Sequence, residues 1–392
     1  MKELGQFQRY LIEEFVEDWR EGHLSRRDMV RRTAYVTGGV ASAATALVSM
    51  GCGQAAAPTP VPTKPAAAPT AAPAATTAPA ATTAPVATTA PTAGAATKPA
   101  AAAATTAPTT APTTAATTAP TGAAATKPAG ATGAAGTPAA APAGPPPTPT
   151  GARSPLSVKA DDPAIEAKKV EFPGEAGPVL GYLVRPKQAG SYAGLIVVHE
   201  NRGLNEHIMD VVRRAAKEGF IALGVDLVSR QGGTEKVGDD ARAGGFLGQA
   251  KPEDLVADLS SGVKFVQTQD GVKKDKIGAI GFCFGGGYTW RLALMNKEIR
   301  SATPFYGPPP PVELVPNTNA AILGIYAGLD QRIDASIPQL EDALKKAGKT
   351  YEMKVYPEVN HAFHNDTGAA WNEKAAVDAW QTAMAWHKKY LA

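Results

Sequence analysis

Cysteine is nearly absent: the 392 residues contain two, Cys52 and Cys283. A disulfide framework is therefore excluded, even for an oxidising destination, because each thiol has a separate reading of its own. Aromatics are scarce at 6% of the chain, and from about residue 53 to 152 both they and the large aliphatics all but vanish. That stretch is Ala, Thr, Pro and Gly, with Lys64, Lys98 and Lys127 its only charges. It has nothing to bury against the entropy of ordering, so it reads as a disordered linker with a reach of about 50–60 Å as a flexible coil. Its threonines beside prolines also suit O-glycosylation.

Charge of one sign is lacking too. Residues 1–51 carry seven basic and seven acidic side chains, and residues 153–392 carry 29 of each, so the formal +3 comes from the three linker lysines. No basic face is implied, and nucleic-acid binding loses its main support. The chain thus divides into an N-terminal region (1–51), the linker (52–154) and one domain of ordinary size (155–392).

The N-terminal region reads as an export signal. Ser25-Arg26-Arg27-Asp28-Met29-Val30 has the serine, paired arginines and following apolar residues of a twin-arginine pattern, and Ala34 to Met50 is a weakly apolar stretch behind it. Cys52, directly after Gly51, stands where a lipoprotein signal peptidase would cut and a lipid would be attached, although Ser49 replaces the usual leucine. An uncleaved helical anchor and an incidental cysteine are the alternatives. Phe7 to Trp19 spaces apolar residues as an amphipathic helix does, and is read as an extended leader discarded on cleavage.

In the domain, the short apolar runs 194–198, 220–225, 277–282 and 321–326 read as strands buried on both faces. Helical patterns at 206–219, 253–269, 337–347 and 370–390 alternate with them. This predicts an α/β fold, a mostly parallel central sheet with helices on both faces, whose chemistry lies beyond the carboxyl ends of the strands.

Three polar residues occupy such positions. Cys283 lies in Gly281-Phe-Cys-Phe-Gly-Gly286, between the 277–282 strand and a helical Tyr288–Met295, in the pattern of a nucleophile elbow. Asp330 follows the 321–326 strand, and His361 follows Tyr351–Tyr356. Nucleophile, acid and histidine in that order is the α/β-hydrolase arrangement. A thiol is a few per cent thiolate at neutral pH, so His361 is needed to take its proton and Asp330 to orient the imidazole. Asp334 competes for the acid role but reads as a helix cap. His364 makes an H-x-x-H pair with His361 that no further ligand pattern completes, so no metal and no cofactor is expected.

Residues 165–390 resemble the dienelactone hydrolase family, the carboxymethylenebutenolidase group of cysteine-nucleophile α/β-hydrolases. The resemblance rests on the elbow, on Gly328-Leu-Asp330, on Asn360-His-Ala-Phe363, and on His199-Glu-Asn-Arg-Gly-Leu-Asn205. It implies that Glu200 meets the cysteine in the resting enzyme and that the amides of Asn201 and Phe284 form an oxyanion hole. Where the best-known members have a substrate-binding arginine four residues after the histidine, this chain has Asn365, and Arg202, Arg230 and Arg242 are the candidates to replace it.

The reading is a hydrolase of an activated ester or enol lactone working through a thioacyl-enzyme, monomeric in its catalytic domain and tethered outside the cell membrane. The alternative is a non-catalytic or sensing binding protein of the same fold displayed at the cell surface.

Overall fold

The computed structural model describes residues 4–20, 24–50 and 154–392. Cys52 and the linker up to residue 153 lie outside the described residues. Eight strands form one sheet: β1 (Ile165–Gly174), β2 (Gly177–Pro186), β3 (Tyr192–Val198), β4 (Phe220–Asp226), β5 (Val272–Phe282), β6 (Ile299–Phe305), β7 (Ala321–Ala327) and β8 (Tyr351–Tyr356). Their order is β1-β2-β4-β3-β5-β6-β7-β8, parallel from β4 to β8 and antiparallel at β1 and β2. The helices are α1 (Gln6–Arg20), α2 (Arg26–Thr37), α3 (Val40–Ser49), α4 (Glu206–Lys217), α5 (Thr234–Val237), α6 (Asp240–Gln249), α7 (Pro252–Gln267), α8 (Phe284–Met295), α9 (Gln331–Asp334), α10 (Ile337–Lys346) and α11 (Glu373–Tyr390).

Helices cover both faces, as the continuous apolar strands require. A side chain on Gly224 of β4 would strike Val212 of α4, whereas its neighbours Leu223 and Val225 press on Gly262 of α7. Successive strand residues point to opposite faces, so α4 and α7 lie on opposite sides of the sheet. The expected strands and domain helices are all present. The antiparallel β1–β2 pair and β6 are additions, and their register supplies the sheet's outer edge and its β5–β7 spacer.

In the full chain the N-terminal segment read as a leader is folded against the domain. The apolar stretch 34–50 is not continuous: Gly38, at φ 81°, ends α2, and α3 starts afresh after Gly39. Among the described residues no helix is long and apolar enough to cross a membrane. Instead the described part of this segment packs in the same compact unit as residues 154–392. Leu11, Ile12, Phe15, Val16, Met29 and Val36 are buried in the common core. α6 receives them at glycines: a Cβ on Gly245 would lie 2.6 Å from that of Tyr35, and one on Gly248 would lie 3.0 Å from Leu11.

A buried charge cluster fixes the loop after β8. Asp366 Oδ2 accepts hydrogen bonds from Ser154 N (3.2 Å), Ser157 Oγ (3.3 Å) and Arg214 Nη2 of α4 (3.1 Å), and its other oxygen faces His207 Nδ1 at 2.9 Å. Burial raises the Asp366 pKa, but His207 and Arg214 reverse this and hold it well below the usual carboxylate range. Asp366→Asn should therefore lower stability by about 1.5–3 kcal/mol through the weakened charged hydrogen bonds. Urea denaturation with an unchanged slope and a lower midpoint is the expected result.

Candidate active site

The strand-to-helix turn at Cys283 is built by contact. Cys283 has φ 57° and ψ −122°, a strained conformation for a residue with a Cβ, worth about 1–3 kcal/mol. It is held because backbones crowd around it: a Cβ on Gly281 would lie 2.4 Å from Gly285 O, one on Gly285 2.4 Å from His199 O, and one on Gly286 2.3 Å from Phe305 O. Only glycine fits these three places. The Cys283 N–H donates to Phe305 O (3.1 Å), and α8 begins at the next residue, so the Phe284 amide opens the helix with no carbonyl of its own turn to meet.

Asp330 and His361 meet this turn from β7 and β8. Asp330 Oδ2 lies 2.6 Å from His361 Nδ1, fully buried, while Oδ1 accepts from the Ile333 N–H (3.3 Å) and caps α9. The cap is thus Asp330 itself; Asp334 ends α9 and does not start a helix, and burial followed by repulsion from Asp330 pushes its pKa up to about 6. Burial lowers the His361 pKa, and the Asp330 carboxylate more than reverses that, leaving it well above the ordinary histidine value. The buried His361 Nε2 makes no hydrogen bond of ordinary geometry, but the ring interacts with the Cys283 thiol, which adds to the rise of the histidine pKa and lowers that of the thiol. His364 is not brought to this site. It is buried face to face with Phe282, ring centroids 4.7 Å apart, and burial with Arg214 nearby holds its pKa well below the ordinary value.

The thiol has unexpected company. Sγ lies 3.5 Å from Tyr10 Oη and 3.4 Å from each carboxylate oxygen of Glu14, both on α1. Asn201 Nδ2 in turn donates to Glu14 Oε1 (2.7 Å). Glu200, the carboxylate expected on the cysteine, is buried nearby, but its Oε2 accepts from Asn365 Nδ2 at 2.7 Å and its Oε1 is unpaired. Asn365 at the position of the missing arginine explains this, since its amide offers Glu200 a neutral partner away from sulfur. Sequence reading missed Glu14 and Tyr10 because the segment carrying them was taken for a leader, although both lie on the helix that its apolar spacing predicted. Burial first, then the Glu14 charge, push the Cys283 thiol up to about 11.

A cavity of about 260 Å³ adjoins these groups, lined by Glu14, Glu17, Asp18, Glu200, Arg202 and Asn365 among others. Arg202 is the one of the three candidate arginines on this lining; Arg230 is paired with Asp258 at 3.0 Å. Glu14, Cys283 and His361 also offer three ligand atoms within 4.8 Å of one another, the one such group among the described residues and a spacing that a soft divalent cation could use.

Sheet order, elbow and the loops after β7 and β8 define an α/β-hydrolase. The chain belongs to the dienelactone hydrolase family, whose sequence profile matches residues 179–391. This places it among hydrolases of carboxylic esters and lactones. A protein of Methylorubrum extorquens named "Putative carboxymethylenebutenolidase" is 31% identical over 246 residues, 60% of this chain and 84% of that one. One of the same name from Escherichia coli K12 is 32% identical over 255 residues, covering 61% and 94%. A crystal structure titled as a "Putative Dienelactone Hydrolase" from Klebsiella pneumoniae superposes with TM-score 0.54 at 32% identity, over 58% of this chain and all of that one. The helices α1–α3 precede the matched region.

The Asp330–His361 pair gives a direct test. A carboxylate favours the imidazolium, so its removal moves the histidine pKa down. Asp330→Asn should lower the His361 pKa by more than one unit in a ring-nitrogen NMR titration, a unit being about 1.4 kcal/mol; an unmoved pKa would break the pairing.

Proposed function

We propose that this chain hydrolyses an activated ester or enol lactone through a thioacyl-enzyme on Cys283. The observation that carries the reading is the strained cysteine at the elbow, beside a histidine whose Nδ1 is held by Asp330 and whose ring interacts with the thiol. In the proposed cycle the neutral form of His361 takes the thiol proton at Nε2 as Sγ bonds to the carbonyl carbon. The carbonyl oxygen, now an anion, is received by the amides of Asn201 and Phe284. The C–O bond breaks, the proton passes from His361 to the leaving oxygen, and a thioester remains. Water then gives its proton to His361 and attacks, the C–S bond breaks, and the thiol takes the proton back. A thiolate is itself a good leaving group, so substrates whose alcohol leaves easily are favoured over peptides.

The substrate end of the cavity supports a further distinction. Arg202 stands among five carboxylates there, Glu14, Glu17, Asp18, Glu200 and Asp330, and Arg202 Nε approaches Asp240 at 4.0 Å. The single cation is thus already offset, and a neutral ester or lactone fits better than one bearing a carboxylate. We also read the chain as exported and held at the outer face of the membrane through a lipid on Cys52, a reading supported by the Arg26-Arg27 motif and the Gly51-Cys52 junction.

Turnover of 4-nitrophenyl acetate should fall at least about 100-fold in Cys283→Ala. Equal rates in the two proteins would sink the nucleophile assignment, and no rate in either when residues 155–392 are assayed without the N-terminal segment would favour a binding protein of this fold. Cys52→Ala should move the protein from the membrane to the soluble fraction; retention in the membrane would mean the lipid alone never held it.

A further inference from the structure

Glu14 lies outside the matched family region, yet it touches the nucleophile. Attack on a carbonyl needs the acyl carbon about 3–3.5 Å from sulfur. Both Glu14 oxygens already occupy that shell at 3.4 Å, and Tyr10 Oη closes another side at 3.5 Å. The carboxylate is hydrogen-bonded to Asn201, beside the amide proposed to receive the oxyanion, so it sits as the carboxylate product of hydrolysis would. Cys283 is left 3% exposed.

The helix that carries Glu14 is seated by specific contacts along its length. Phe7 stacks on Tyr288 at 4.7 Å and meets Phe284 edge-on at 5.5 Å, with the Arg291 guanidinium 4.9 Å above it. The Arg332 guanidinium lies 4.7 Å from the Tyr10 ring and 3.3 Å from Glu17. α2 ties the arrangement to α6 through Gln249 Nε2 to Tyr35 O (2.6 Å) and Arg31 to Asp239 (3.5 Å). A helix bound by apolar packing, stacked rings and ion pairs, and presenting a carboxylate to the nucleophile, has the form of an inhibitor joined to its enzyme.

We propose that helix α1 is an intramolecular inhibitor of this active site, with Glu14 holding the acyl position on Cys283 until the N-terminal segment is displaced or removed. This rests on the hydrolase reading above. It also joins it to the export reading: cleavage between Gly51 and Cys52 would sever α1–α3 from the catalytic domain, so the chain would be silent before processing and competent after it. The inhibited precursor would then spend its time in the cytoplasm without attacking esters there.

The test uses the full chain with Cys52→Ser, so that Cys283 is the single thiol. Two variants loosen the seat in different ways: Glu14→Gln removes the charge with little change of shape, and Leu11→Asp places a charge in the buried face of α1. Two readouts apply, the rate of iodoacetamide alkylation at pH 7.5 and the hydrolysis of 4-nitrophenyl acetate, with melting temperature and far-UV circular dichroism as folding controls. Both variants should alkylate about tenfold faster or more, since a freed thiol with a lower pKa carries more thiolate. Hydrolysis should rise with alkylation, and a synthetic peptide of residues 5–20 should suppress it again in Leu11→Asp but not when the peptide carries Glu14→Gln. Faster alkylation with no hydrolysis in any variant would leave the inhibitor standing and remove the hydrolase reading. Cysteine-dependent hydrolysis that is already maximal in the parent, with alkylation unchanged in a folded Glu14→Gln, would overturn the inhibitor. If Leu11→Asp fails to fold, the Glu14→Gln result decides alone.

Discussion

The site depends on a close approach of backbones. β5 passes into α8 at a turn so tight that Gly281, Gly285 and Gly286 each touch another main chain, and the reward of that packing is a cysteine held at φ 57°. A side chain in this conformation is lifted off the strand end and stands beside the opening amide of a helix. Everything else in the site is placed relative to that sulfur. β7 and β8, beyond the spacer β6 in the parallel order, bring Asp330 and His361 to the same edge, and the Asp366 cluster pins the histidine loop to α4 from behind.

The electrostatics of the site are those of a resting state. The thiol is disfavoured as an anion by burial and by Glu14, while Asp330 stabilises a protonated imidazole. His361 by itself favours the thiolate, but burial and the Glu14 charge outweigh it. A substrate acyl group would have to take the space that Glu14 fills, so the chemistry and the position of α1 are one problem.

Much of the domain was legible in the sequence because its signals are local. Runs such as Leu195-Ile-Val-Val198, short and rich in β-branched residues, read as strands buried on both faces, and a glycine-flanked cysteine between such a strand and a helix announces a sharp turn. The order Cys283, Asp330, His361 along successive strand ends could be read for the same reason. β1, β2 and β6 were harder. Their residues alternate less cleanly, and Lys168-Lys169 or Pro304 within them weaken any periodic pattern until a neighbouring strand supplies the register.

The sequence by itself determined the fold class and the family, and it singled out Cys283, Asp330 and His361 as the candidate groups, since each signal is set by residues within a few positions of one another. It also determined that Phe7 to Trp19 would be an amphipathic helix. Only the tertiary structure decided what that helix covers. An apolar face states that a partner exists without saying which, and here the partner lies more than 260 residues away in the chain, at Cys283, Phe284 and Tyr288. The carboxylate on the thiol was settled in the same way. Glu200 and Glu14 are both acidic residues able to reach a buried sulfur, and the choice between them came from Asn365 holding one and α1 delivering the other.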